Sequence, residues 1–270
     1  MYELYKRDYK KLTEKELTIY EEMKIFKSKK SKIVSANDAT NQISNYFEFP
    51  ALIFYESLFP NNYVDTNFLI GTHEKYKEIL AEFISLIENR QTIESQILKF
   101  IKINEFYPGI ITLLLNTQFW GHEEFYLFRE FQLGNEFRTD FLLIGKNSNG
   151  YSFVFVEFEG VYGRITTKKG DLGQVINTGL NQVDRWKQWL ESNYTNLNVS
   201  FTRTKNQNQA LPTEFYKFDS TKVSYIVVAG RRSDFCEISN RKRRVLDQKS
   251  NTKILHYDNL LENMKKLITS

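Results

Sequence analysis

Glu157 and Glu159 stand two residues apart in the segment Phe153-Val-Phe-Val-Glu-Phe-Glu159. In an extended strand such residues face the same side, so both carboxylates continue the face that carries Phe153 and Phe155. An apolar face that ends in two acids needs something to neutralise them. Asp140 is the acidic oddity of the preceding apolar segment, Phe137-Arg-Thr-Asp-Phe-Leu-Leu-Ile144, so three carboxylates can meet at one rim. Crowded carboxylates withdrawn from water are costly without a cation, and hard oxygen donors select Mg²⁺ or Mn²⁺. A divalent metal held by an Asp and a Glu, with positions left for water and phosphate, is equipment for phosphodiester hydrolysis. The same residues would also suit a solvated strand end on which Glu157 and Glu159 pair with Arg164 or Lys168.

The second signal is basic. Between Arg231 and Lys253 lie eight Lys and Arg residues against three acids, an excess larger than the +4 of the whole chain. Arg231, Arg232, Arg241, Lys242, Arg243 and Arg244 belong to this cluster, and Lys168 and Lys169 follow the acidic strand. These residues read as a surface for nucleic-acid phosphates, with a solvated charged loop as the alternative. Trp186 and Trp189 could stack on bases, but their helical spacing with Val183 and Leu190 reads as core.

Several classes are excluded. The chain has 270 residues, 41% hydrophobic and 26% charged, with 12 Gly and 4 Pro, which is the composition of a folded globular protein. No apolar run approaches the roughly 18 residues of a membrane span, and Met1-Tyr-Glu-Leu-Tyr-Lys-Arg7 has no secretory pattern. A cytoplasmic protein with no membrane partner is expected. Cys236 is alone, and His73, His122 and His256 lack zinc spacing. Neither a dinucleotide fingerprint nor a phosphate-binding Walker loop occurs, so no nucleotide cofactor is expected. No histidine is placed to activate a Ser or Cys nucleophile.

The elements that must position these residues follow from periodicity. Apolar residues from Tyr76 to Ile87 recur at helical spacing over Thr72–Asn89, and Ile93, Ile97, Leu98 and Ile101 predict a second helix. Glu124–Leu133, Phe137–Ile144 and Tyr151–Glu159 predict a three-stranded meander, with turns at Gly134-Asn-Glu136 and Gly145–Gly150. Asp171–Ser192 predicts a helix, Ser224–Ala229 a buried strand, Lys253–Tyr257 another strand and Asn259–Ile268 a closing helix. Ala51–Tyr55 predicts a strand in an otherwise Lys/Glu-rich beginning. The class is mixed α/β, with 15% aromatic residues favouring a sheet-containing core.

This order resembles the PD-(D/E)XK nuclease core, and more narrowly the C-terminal domain of Shedu (SduA-type) anti-phage proteins. The resemblance rests on Glu94 to Phe100, Leu133-Gly134, Asp140 to Leu143, Val156-Glu-Phe-Glu159, Gln182, Val227-Val-Ala-Gly-Arg231 and Tyr257-Asp-Asn-Leu-Leu261, in that order. It covers roughly Gln91 to the C-terminus, which implies a nuclease-like domain over 91–270 and leaves 1–90 unmatched, read here as an α+β accessory region whose role stays open. The implied fold is restriction-endonuclease-like, a mixed sheet flanked by helices. The implied activity is Mg²⁺- or Mn²⁺-dependent DNA cleavage in anti-phage defence, and homo-oligomers are common among such families. Asp140 and Glu157 would be the metal ligands, Gln182 a polar group near the scissile phosphate and Glu94 the supporting acid, with Glu130 its rival. The family lysine two residues after the glutamate is Glu159 here, which would act as general base or further ligand, unless Lys168 or Lys169 supplies the cation. The alternatives are a nuclease fold that has lost catalysis and serves as a nucleic-acid-binding or sensor module, and an interaction protein without metal affinity.

Overall fold

The computed structural model describes residues 4–29, 48–64, 73–117 and 124–269. In chain order the elements are α1 (Glu14–Lys29), α2 (Ala51–Glu56), α3 (His73–Glu88), α4 (Glu94–Ile103), α5 (Tyr107–Ile111), β1 (Glu124–Arg129), β2 (Gln132–Leu133), β3 (Phe137–Arg138), β4 (Phe141–Asn147), β5 (Gly150–Phe158), α6 (Gln174–Asn193), α7 (Leu197–Thr204), β6 (Val223–Val228), α8 (Glu237–Ser250), β7 (Thr252–Leu255) and α9 (Tyr257–Thr269). Two compact units result, one of Met1–Tyr63 with Phe201–Leu211, the other of Val64–Ser200 with Pro212–Ser270. The sequence-based boundary at residue 90 lies inside the larger unit. Among the described residues no helix is long and apolar enough to cross a membrane.

In the smaller unit Tyr9 stacks on Phe54 with ring centroids 4.6 Å apart, and Phe59 meets Phe201 at 5.7 Å. Asn206 ties down α2 by donating from Nδ2 to the Tyr55 carbonyl at 2.7 Å. The strand expected over Ala51–Tyr55 is instead the helix α2, which buries Ala51, Leu52 and Phe54. Pro50 precedes it with helical φ, and a short apolar run has no periodicity that distinguishes a strand from one buried helical turn. Among the described residues of 1–90, helices and a single bridge at Tyr63 replace the α+β pattern.

The larger unit is built on a five-stranded mixed sheet in the order β1-β4-β5-β6-β7. The β1, β4 and β5 strands are antiparallel, as the meander requires, whereas β5, β6 and β7 run parallel through the crossovers that contain α6 and α8. β6 is buried along its whole length and β5 from Tyr151 to Val156, because helices cover both faces. On one face α6 packs Ile176, Val183, Trp186, Trp189 and Leu190 against β5 and β6. On the other, Phe158 meets Tyr257 of α9, with ring centroids 5.9 Å apart. Trp186 and Trp189 are therefore core residues, 0% and 5% exposed.

Two expected strands are interrupted, and the interruption matters. Glu130 adopts a positive φ of 47° and separates β1 from β2, while its N–H donates to the Asp140 carbonyl at 2.8 Å. The opposite break at Thr139-Asp140 separates β3 from β4. Asp140 thus leaves the ladder just before the paired register begins at Phe141↔Val156. The basic run after Arg231, weighed as a loop, is helix α8 over Glu237–Ser250, closed by Asn251 in the left-handed region. Its buried positions are too few to create an apolar stripe legible in the sequence.

Candidate active site

Asp140 stands where the antiparallel ladder ends, and its Oδ2 accepts the Phe158 N–H at 2.7 Å. Beyond that point the parallel side of β5 continues by one bond, from the Glu159 N–H to the Val228 carbonyl at 2.8 Å. The pairing Glu157↔Val227 places Glu157 on the α6 side of the sheet, and Asp140, adjacent to Phe141, shares that side. The alternation inferred from sequence therefore operates through Glu159. Gly179 of α6 lies directly over it: a Cβ there would come within 2.7 Å of Val227 Cγ1 and 3.0 Å of Glu159 Cγ. Only a residue without a side chain lets the helix approach the acidic rim this closely. Tyr257 supports the rim from the other face, its hydroxyl donating to the Glu159 carbonyl at 2.6 Å.

The electrostatics join four acids. Burial pushes the Asp140 carboxyl well above the ordinary carboxylate range, against the opposing Phe158 N–H, and the charge of Glu94 adds to the rise. Glu157 is raised by burial and then by Asp140, Glu159 and Glu94. Glu159 is pushed up to about 7 by burial, with Glu94 and Asp140 adding. Glu94, in the first turn of α4, is raised by burial alone. Asp140, Glu157, Glu159 and Glu94 thus act as one group although 46 residues separate the first from the last. Among the described residues none of the four forms an ion pair, and the pairing of Glu157 and Glu159 with Arg164 or Lys168 is not found. Glu157 Oε2 is buried without a hydrogen-bond partner.

Glu130 takes a different position. It is 60% exposed at its side chain and pairs with Arg138 at 3.5 Å, contributing only a minor repulsion to Asp140. Gln182 is half-buried on α6, one turn beyond Gly179.

An orphaned carboxylate oxygen among mutually repelling acids is the donor chemistry of a hard divalent cation. Among the described residues no three His, Cys, Asp or Glu side chains converge as a metal cage. Mg²⁺ needs no such cage, since it commonly keeps several waters and takes one or two protein carboxylates. Asp140 and Glu157 fit that requirement as a pair.

The basic residues separate into two sets. Arg231 is held bidentately by Asp258, with Nη2 2.9 Å from Oδ1, and also donates to the Ile87 carbonyl at 3.2 Å. Arg232 pairs with Glu262 at 2.5 Å, and Lys242 pairs with Asp171. Arg243 lies 4.5 Å over the Phe235 ring and donates twice to the Ile254 carbonyl; burial lowers its pKa to about 10. Lys168, Lys169, Arg241 and Arg244 are exposed. Charge counting could not separate scaffold arginines from exposed ones, nor reveal Gly179 and Tyr257 as neighbours of Glu159. Only the ordered resemblance drew in Tyr257 and Asp258.

A family model described as Shedu protein SduA, C-terminal, matches residues 91–261, well over half of the chain. A search of the curated proteins returns no match.

Proposed function

The chain belongs to the Shedu family, and from that premise we propose that the acidic rim is the centre of a metal-dependent DNA endonuclease with a PD-(D/E)XK-like core, acting in anti-phage defence. The observation that carries the reading is the buried, unpartnered Oε2 of Glu157 amid Asp140, Glu159 and Glu94, four acids with no cation paired to them among the described residues. Asp140 and Glu157 would hold Mg²⁺ or Mn²⁺, which when bound polarises a phosphoryl oxygen and supplies positive charge. Asp140 is oriented for this by the Phe158 N–H. Glu159, with a pKa of about 7, is matched to accept a proton from the attacking water near neutral pH. Gln182 positions the water or phosphate from α6, and Glu94 reinforces the negative potential that draws in the cation. Lys168, Lys169, Arg241 and Arg244 are available for backbone phosphates.

The test is cleavage of supercoiled and linear duplex DNA, with single-stranded DNA and RNA alongside, in Mg²⁺, Mn²⁺ or EDTA. Metal-dependent nicking by the wild type, lost in Asp140→Ala and Glu157→Ala, is the expected result. Unchanged cleavage by Asp140→Ala overturns it. One observation favours a second reading, an inactive fold that binds or senses nucleic acid: among the described residues the charges acting on Glu159 are those of other acids, and no cation stands in the place of the family lysine. That reading predicts retained gel-shift binding without cleavage in any metal.

A further inference from the structure

A cavity of about 620 Å³ opens past the ends of β5 and β6, lined by Glu88, Arg90, Tyr162, Arg231, Arg232, Ser233 and Asp258. Two chain connections link it to the carboxylates. Arg90 precedes Glu94 by four residues, and Gly230, next to Arg231, donates its N–H to the carbonyl of Gly160, the residue after Glu159, at 3.1 Å. The cavity thus lies beyond the C-terminal ends of the parallel strands β5 and β6, where open α/β sheets place ligands.

We infer that this cavity is a subsite for one nucleotide of the nucleic-acid strand, adjacent to the phosphate at the acidic rim, an inference that rests on the nuclease reading of that rim. The Tyr162 ring is half-buried and fixed, because its hydroxyl donates to the Ile87 carbonyl at 2.7 Å; a fixed aromatic face is a platform for a base. Arg231 is locked by Asp258 and serves as wall. Arg232 differs: its guanidinium is 58% exposed and its partner Glu262 is 45% exposed, an ion pair weak enough to exchange for a phosphate. Arg90 is exposed and makes no ion pair among the described residues, so its fork is available to a phosphate, and Ser233 lines the same cavity. Of the two acids in the lining, Asp258 is taken up by Arg231, which leaves Glu88 to oppose a bound phosphate. The size suits a single group of this kind, within the roughly 300–1,000 Å³ of small-ligand sites.

The experiment is fluorescence anisotropy of the full chain with a labelled 20-nucleotide strand and its duplex, in EDTA so that nothing is cut, over a series of salt concentrations. Arg90→Ala should weaken binding several-fold and reduce the salt slope by about 0.7 for the single strand or about 0.9 for the duplex. Tyr162→Ala should weaken single-strand binding by roughly tenfold or more, whereas Tyr162→Phe, which keeps the ring and loses only the hydroxyl that fixes it, should lose clearly less than Tyr162→Ala. Glu88→Gln should tighten binding. Arg90→Ala and Tyr162→Ala proteins that melt like wild type and bind like wild type overturn the subsite, as does a wild type that binds no strand. Asp140→Asn keeps the two readings apart: a variant that binds fully without cleaving supports both, whereas wild-type cleavage by Asp140→Asn overturns the rim's role and leaves the Arg90 and Tyr162 result to stand or fall by itself.

Discussion

The ends of two neighbouring parallel strands treat charge in opposite ways. At the end of β5, Asp140, Glu157 and Glu159 crowd together with Glu94, repel one another and leave a carboxylate oxygen unpartnered. At the end of β6, Arg231 is gripped bidentately by Asp258, which also accepts the Arg232 N–H at 2.7 Å. Paired charge fixes the loop that joins β6 to α8, and unpaired charge costs stability that a fold has no structural reason to carry. Electrostatic strain of this kind clusters at functional sites, so the contrast marks the end of β5 as the candidate site without reference to any relative.

The contrast breaks most sharply in activity. Asp140→Ala or Glu157→Ala should lower metal-dependent cleavage by about 100-fold or more, while the EDTA-treated Glu157→Ala protein melts no lower than wild type, because a buried carboxyl with an unpartnered oxygen has been removed. Asp258→Ala should do the reverse, costing about 2 kcal/mol of stability by stranding the half-buried Arg231, a loss readable by urea unfolding. Gly179→Ala forces a methyl between Val227 and Glu159 and should cost about 1–3 kcal/mol, with cleavage falling because the rim shifts.

The pH dependence is smaller and differs in sign between the two regions. Glu159 holds its proton up to about pH 7 in the folded chain but only to about 4.3 when unfolded. The folded state therefore binds more protons in that window, and stability in EDTA should decline as pH rises through it. Asp140 and Glu157 act in the same direction, so Asp140→Asn should flatten the slope and saturating Mn²⁺ should reverse it. His256, beside Asp258, has its pKa lowered to about 4 by burial and by Arg243. Its effect is opposite: stability is lost as pH falls from the ordinary His value of about 6.5, and His256→Gln should remove that acid-side loss in thermal melts.

The rim was legible in outline because strand alternation is a local rule: it joined Glu157 to Glu159 and brought Asp140 to the same edge without any structure. Glu94 was not reachable by that rule, since a helix start is brought to the sheet by packing over a long sequence separation; there the ordered resemblance carried the reading. The basic segment shows the converse difficulty. Its charge is plain in the sequence, yet whether a guanidinium lies on Phe235, pairs with Asp258 or faces water depends on partners far along the chain. Ala51–Tyr55 was misread because five apolar residues carry no period, whereas the long patterns of α3, α6 and β5 fixed their own type.

The outer margins of the sheet have a separate consequence. Arg243 donates both Nε and Nη2 to the outward-pointing carbonyl of Ile254 on β7, and the Val64 N–H occupies the Phe125 carbonyl on β1. An open sheet normally offers such carbonyls to another chain as a template for continued pairing. Here each margin is plugged at one of these acceptors, so neighbouring copies are hindered from lengthening the sheet strand upon strand towards fibre growth.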